Sequence, residues 1–182
     1  MSRPLFGGAL SAVVPLNAVD VSELREIPDN QEVFAHAQTD QSVIIELMEH
    51  QSQVEDAQAA RYHFEDLAGS NKASAEGLWE VREVESISLS ELKLQECSSA
   101  WLLNGAQLVS KFNEEAKNTV NIHLCVFRLP QYTTDILVTF NNPVNISPLS
   151  SSAVVSTDVG WTLQDFHTLL QSLQLLDPGV FG

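Results

Sequence analysis

Positive charge is scarce in this chain. Nine Lys and Arg stand against 24 Asp and Glu among 182 residues, a formal net charge of −15. Non-specific nucleic-acid binding depends on clustered basic residues that displace counterions from phosphates, and nine scattered ones do not supply it. An anionic membrane surface repels a chain of this sign. Cysteine is scarce too, with only Cys97 and Cys125. They form no disulfide framework and no CxxC pair, which points to a reducing compartment. No stretch reaches the roughly 18 consecutive apolar residues of a membrane span. Met1-Ser-Arg-Pro4 leads into no long apolar run, so no secretory signal is read. Nucleus and cytoplasm are the expected setting, with no membrane insertion.

Catalytic signatures are missing as well. His36, His50, His63, His123 and His167 show no metal-ligand spacing, and there is no HExxH or Cys/His cluster. His63-Phe64-Glu65-Asp66 reads more simply as a polar helix end than as a ligand set. There is no GxSxG, no GxxxxGK[ST] and no GxGxxG. Gly7-Gly8 is too short for a dinucleotide loop and no helix follows it. Carboxylate pairs such as Glu55-Asp56 and Glu65-Asp66 are ordinary solvated helix charge. A Ser/His/Asp triad is spatial, and nothing in the order of residues singles one out. The chain is therefore expected to act by binding, without cofactor or metal, and not as an enzyme.

What is present suits a folded core. Apolar residues make up 44% of the chain, and a chain of this length buries about 70% of its unfolded surface. One domain over residues 1–182 is expected, as a monomer. Residues 5–15 read as two short strands broken at Gly7-Gly8, and residues 20–24 as a helical turn. Pro28-Asp29-Asn30 is turn chemistry, and residues 32–36 read as a strand. Val43, Ile44, Leu47 and Met48 form the stripe of one helix face, predicting a helix over residues 42–53. A second helix is predicted over residues 56–67, and a loop over 68–77. Strands follow at 78–87, 100–103, 107–112, 120–129 and 134–140. Asn104-Gly105 reads as a type I′ hairpin turn, and Asn142-Pro143 as the end of the last strand. Residues 145–157, rich in Ser, read as a mobile loop. Thr162-Leu-Gln-Asp165 matches a capping box, before a helix carrying Phe166, Leu169, Leu170, Leu173 and Leu176 that stops at Asp177-Pro178-Gly179. The expected architecture is α/β of the α+β type: an antiparallel sheet of about six strands sandwiched between helices.

Charge is uneven along the chain. Residues 20–96 hold eighteen acidic and five basic residues, so nearly all the net charge lies there. A basic protein is the natural complement of such a face; net charge also serves solubility alone. Within it, Arg25-Glu26-Ile27-Pro28-Asp29-Asn30-Gln31-Glu32-Val33-Phe34 sets three carboxylates around a proline-fixed turn. A turn presents its charges preorganised, at low entropic cost to a partner. The same residues also read as structure: Asp29 capping its own turn, Glu32 a solvated strand position, Phe34 a core residue.

Pro4-Leu-Phe-Gly-Gly8, Asp20-Val-Ser-Glu-Leu-Arg25 and Ile27-Pro-Asp-Asn-Gln-Glu-Val-Phe34 closely resemble the Ran guanine nucleotide release factor family, also called the Mog family. The resemblance continues through Ala60-Arg-Tyr-His-Phe-Glu-Asp66, Arg128-Leu-Pro-Gln-Tyr132, Thr134-Asp135, Asp177-Pro178 and Phe181, in order along nearly the whole chain. It implies a fold related in shape to the PsbP photosystem proteins. It implies binding of the small GTPase Ran, release of Ran's bound nucleotide and support of nuclear protein import. Vertebrate members are linked to cell-surface delivery of the cardiac voltage-gated sodium channel. The implied partners are thus Ran, a further Ran-binding protein and a cytoplasmic loop of that channel, whose company would bring the chain to the plasma membrane. The family's acidic binding pair falls on Asp29 and Glu32. Its wider Ran-binding region covers residues 23–66, in which Glu23, Arg25, Glu26, Asn30, Gln31, Glu65 and Asp66 are further candidates. The 68–77 and 145–157 segments depart from the family pattern.

Overall fold

The computed structural model describes residues 2–70, 79–109, 118–145 and 160–181. The expected loop at 145–157, all but its first residue, and most of the one at 68–77 lie outside the described residues. The described chain is mixed α/β with antiparallel sheets and two helices, as expected. The strands are β1 (Ser2–Leu5), β2 (Leu10–Val13), β3 (Ala18–Asp20), β4 (Gln31–His36), β5 (Ser42–Glu49), β6 (Trp79–Ser86), β7 (Ser99–Val109), β8 (Asn118–Leu129), β9 (Thr134–Asn145) and β10 (Gln174–Leu175). The helices are α1 (Asp56–Ser70) and α2 (Leu163–Ser172). Seven strands form one sheet in the order β3-β4-β5-β9-β8-β7-β6, and β1-β2-β10 form a small second sheet.

The two faces of the large sheet hold separate apolar clusters. On one face Val43, Ile45, Cys125, Phe127, Ile136, Val138 and Phe140 pack with Phe166, Leu169, Leu170 and Leu173 of α2 and with Leu5, Leu10 and Ala12 of the small sheet. On the other, Leu103, Ile122, Leu124, Val126 and Leu137 pack with Ala59, Ala60 and Phe64 of α1. The alternation along β8 and β9 is the period-2 pattern of a strand buried on both sides. α2 begins as predicted. Asp165 N–H donates to Thr162 Oγ1 at 3.2 Å and Thr162 N–H donates to Asp165 Oδ2 at 2.9 Å, a complete capping box. It ends at Ser172, before Asp177, because Gln174 and Leu175 pair with β2.

Three further expectations fail. Residues 42–53 are not a helix: residues 42–49 are β5, paired with β4 on one side and β9 on the other. A strand apolar on both faces reads as a short continuous run, and its spacing imitates a helix stripe. The β-branched Val43-Ile44-Ile45 favours the strand. Asn104-Gly105 is not a turn. It lies inside β7, which runs unbroken where two strands were expected. A Cβ on Gly105 would meet the Glu80 carbonyl oxygen at 2.6 Å and the Phe64 ring at 3.1 Å. The glycine is there to let α1 seat Phe64 on the sheet. Asn142-Pro143 likewise ends nothing, since β9 continues to Asn145.

Beneath α1 lies a buried polar cluster. Arg128 and Asp135 are cross-strand partners on β8 and β9, only 1% and 0% exposed. Asp135 accepts from His50 Nδ1 at 2.7 Å and from His63 Nε2 at 3.0 Å. Arg128 donates to the carbonyls of Gln51 and Val54 and to Asp56, clamping the segment between β5 and α1. Burial alone would raise the Asp135 carboxyl, but hydrogen bonds from His63 and His50 and the Arg128 charge outweigh it and hold its pKa below the ordinary value.

Candidate functional site

Antiparallel pairing brings the start of β4, the end of β5 and the start of β9 to one end of the large sheet. Gln31 lies opposite Glu46 and Glu49 opposite Thr134. A groove of about 630 Å³ opens there. Asp29, Asn30 and Glu32 line it from the β4 side, and Leu47, Met48 and Glu49 from β5. Thr133 and Thr134 line it at the start of β9, while Phe6, Gly7, Val180 and Phe181 close it from the termini.

The turn before β4 is built as its residue types demand. Gln31 N–H donates to the Pro28 carbonyl at 3.0 Å. Asn30 is bound to Leu47 twice, through its carbonyl and through Nδ2. Gln31 Nε2 donates to Glu46 Oε2 at 2.7 Å, so its side chain is tied to β5. Asp29 is exposed at the tip. Phe34 is fully buried, with the Arg3 guanidinium 5.0 Å from its ring centre.

Glu32 has a structural role that its position in sequence does not betray. Its Oε1 accepts the Phe6 backbone N–H at 2.8 Å. Phe6, Gly7 and Gly8 carry φ of 51°, 69° and 95°, a run of left-handed conformations that glycine tolerates and phenylalanine does not favour. Glu32 pins this turn against the start of β4. One carboxylate oxygen is therefore engaged within the chain.

The other candidates scatter. Glu23, at the end of the short turn Val21–Glu23, and Arg25 and Glu26 after it are exposed on the chain leading to Pro28. Glu65 and Asp66 are exposed on α1, which covers the opposite face of the sheet from the Glu32–Phe6 contact. The groove thus unites Asp29, Asn30 and Glu32 and leaves Glu65 and Asp66 apart. It also contains Glu49, Phe6 and Phe181, which were not singled out as contacts. A strand reading of residues 42–49, in register with β4, is the signal that points to Glu49.

The arrangement offers three carboxylates beside apolar walls, the chemistry of a cation-accepting contact surface. Among the described residues no group of His, Cys, Asp and Glu is placed to hold a metal ion. No helix among them is long and apolar enough to cross a membrane.

Comparison with known proteins follows the same lines. The family model described as "Ran-interacting Mog1 protein" matches residues 3–143. The chain is 74% identical to a protein of Danio rerio named Ran guanine nucleotide release factor, across all of both chains. It is 35% identical to a Schizosaccharomyces pombe protein named nuclear import protein mog1, covering 98% of each. The crystal structure of the Saccharomyces cerevisiae Ran-binding protein Mog1p superposes with a TM-score of 0.74 at 21% identity, over 100% of this chain and 98% of that one.

Proposed function

The chain belongs to the Ran-interacting Mog1 family, and on that premise we propose that it binds the small GTPase Ran through the groove at residues 29–32 and promotes release of Ran's bound guanine nucleotide. The observation that carries this reading is the meeting of Asp29 and Glu32 in one concavity at the end of the sheet. The names of its relatives support Ran interaction and a role in nuclear import, which sets the chain's work in nucleus and cytoplasm.

The mechanism is differential binding. A GTPase holds its nucleotide through a lysine, backbone amides and Mg²⁺. Carboxylates set on a rigid turn compete for basic groups that frame that site. A surface that binds the nucleotide-depleted form more tightly than the loaded form shifts the equilibrium toward release, by the difference in affinity and no more. No bond is made or broken by this chain.

Nucleotide-release kinetics on Ran loaded with a fluorescent guanine nucleotide test the reading. The parent chain accelerates release, and Asp29→Asn and Glu32→Gln reduce the acceleration. Unchanged release by both variants sinks it. The trafficking reading predicts instead that a cytoplasmic loop of a voltage-gated sodium channel is still captured by the variants that lose Ran.

A further inference from the structure

Resting on the reading above, we propose that Glu49 and Phe181 are also Ran contacts: a lysine or arginine side chain seats between Asp29 and Glu49, with the Phe181 ring covering its aliphatic stem. Glu32 is already engaged within the chain. One of its oxygens holds the Phe6 amide, so its charge is partly committed to the fold. Asp29 and Glu49 differ. Neither side chain has a hydrogen bond or ion pair among the described residues, both are exposed, and both line the same groove from different strands. Uncommitted like charges in one concavity repel each other, and an inserted cation relieves both at once.

Phe181 supplies what a long basic side chain needs besides charge. Lys and Arg carry apolar stems that pack on hydrophobic surface while the head stays polar, and their cations favour an aromatic face. The Phe181 ring is half-buried and stacks on Tyr132, with centroids 5.0 Å apart and planes 28° apart. The turn that carries it is anchored. Leu176 and Asp177 both donate their N–H to the Ala9 carbonyl, and Gly179 N–H donates to Asp177 Oδ1 at 2.9 Å. The ring is a fixed wall of the groove, so little ordering cost falls on binding.

Equilibrium and stopped-flow binding of Ran to the full chain, at low and at moderate salt, test the proposal. Glu49→Gln is expected to weaken binding about three- to tenfold and to flatten its salt dependence. Phe181→Ala is expected to weaken it by a similar factor through faster dissociation, with the parent's salt dependence retained. If Phe181→Ala melts below the assay temperature, Phe181→Leu takes its place, with a loss of about two- to threefold expected from the missing aromatic face. Parental affinity in Glu49→Gln or in the Phe181 variant, beside an impaired Asp29→Asn, overturns the proposal and leaves the groove reading intact. Parental affinity in Asp29→Asn as well overturns the groove reading itself.

Discussion

Glu32 Oε1 accepts the backbone N–H of Phe6 at 2.8 Å, so a carboxylate assigned to a partner also holds a left-handed turn of its own chain. Alanine at this position therefore confounds two roles. Glu32→Ala is expected to lower stability by about 1–2 kcal/mol, the cost of orphaning a half-buried donor, and to weaken Ran binding. Glu32→Gln keeps an acceptor for Phe6 and loses only the charge. Thermal melting together with Ran binding separates the roles: the glutamine variant melts like the parent but binds less tightly.

Gly105→Ala tests the packing of α1. The new methyl meets backbone at Glu80 and the buried Phe64 ring, neither of which yields cheaply. A loss of about 1–3 kcal/mol is expected from overpacking, measured by urea denaturation. Were Gly105 a turn glycine, the substitution would instead strain φ, yet its φ lies outside the left-handed region and the clash alone acts.

His123 makes stability depend on pH. Burial first, then the His167 and Arg82 charges, push its pKa down from 6.5 to about 4. Its Nδ1–H donates to Asn104 Oδ1 at 2.6 Å, and Phe140 and Phe166 lie beside it. The unfolded chain takes up a proton near pH 6.5 that the folded chain refuses until about pH 4. The contribution is fully present above pH 6.5 and is lost as pH falls between those values, a loss on the order of 3 kcal/mol. Denaturation midpoints across that window fall for the parent, and fall less for His123→Gln.

Asp135 anchors the buried cluster beneath α1. Its pKa lies below the ordinary carboxylate value, so its contribution is present above the unfolded value near 4 and is lost as pH falls through the lowered one. Asp135→Asn leaves Arg128, 2% exposed in its side chain, with one buried counter-charge removed. A loss of about 3 kcal/mol is expected, and the melting temperature at neutral pH checks it. Arg128→Lys fares no better, since one ammonium does not span the carbonyls of Gln51 and Val54 and the Asp56 carboxylate together.

Much of this was legible from local chemistry. The α2 capping box, the turn at Pro28-Asp29-Asn30, the break at Gly7-Gly8 and the period-2 alternation of β8 are each written in a few neighbouring residues. What was not legible depends on long-range pairing. β5 is a strand because β4 and β9 flank it, and its own residues fit either period. Gly105 has its meaning from Phe64, which comes from another element. The site divides the same way. Asp29 and Glu32 are marked by their turn, whereas Glu49 joins them only once β5 pairs with β4 and β9. Phe181 joins through its stack on Tyr132, across nearly fifty residues of chain. Glu65 and Asp66 are near in sequence terms yet lie on the far side of the sheet.

Whether the groove at the start of β4 binds Ran is decided by one titration. Ran, in its GTP and GDP forms, is titrated with the parent chain and with an Asp29→Asn/Glu32→Gln double variant at two salt concentrations. Parental binding is expected to weaken as salt rises. The double variant is expected to bind at least about tenfold more weakly, with a shallower salt dependence, if the groove is the Ran site. Equal affinity and equal salt dependence in a double variant that melts like the parent would contradict that assignment.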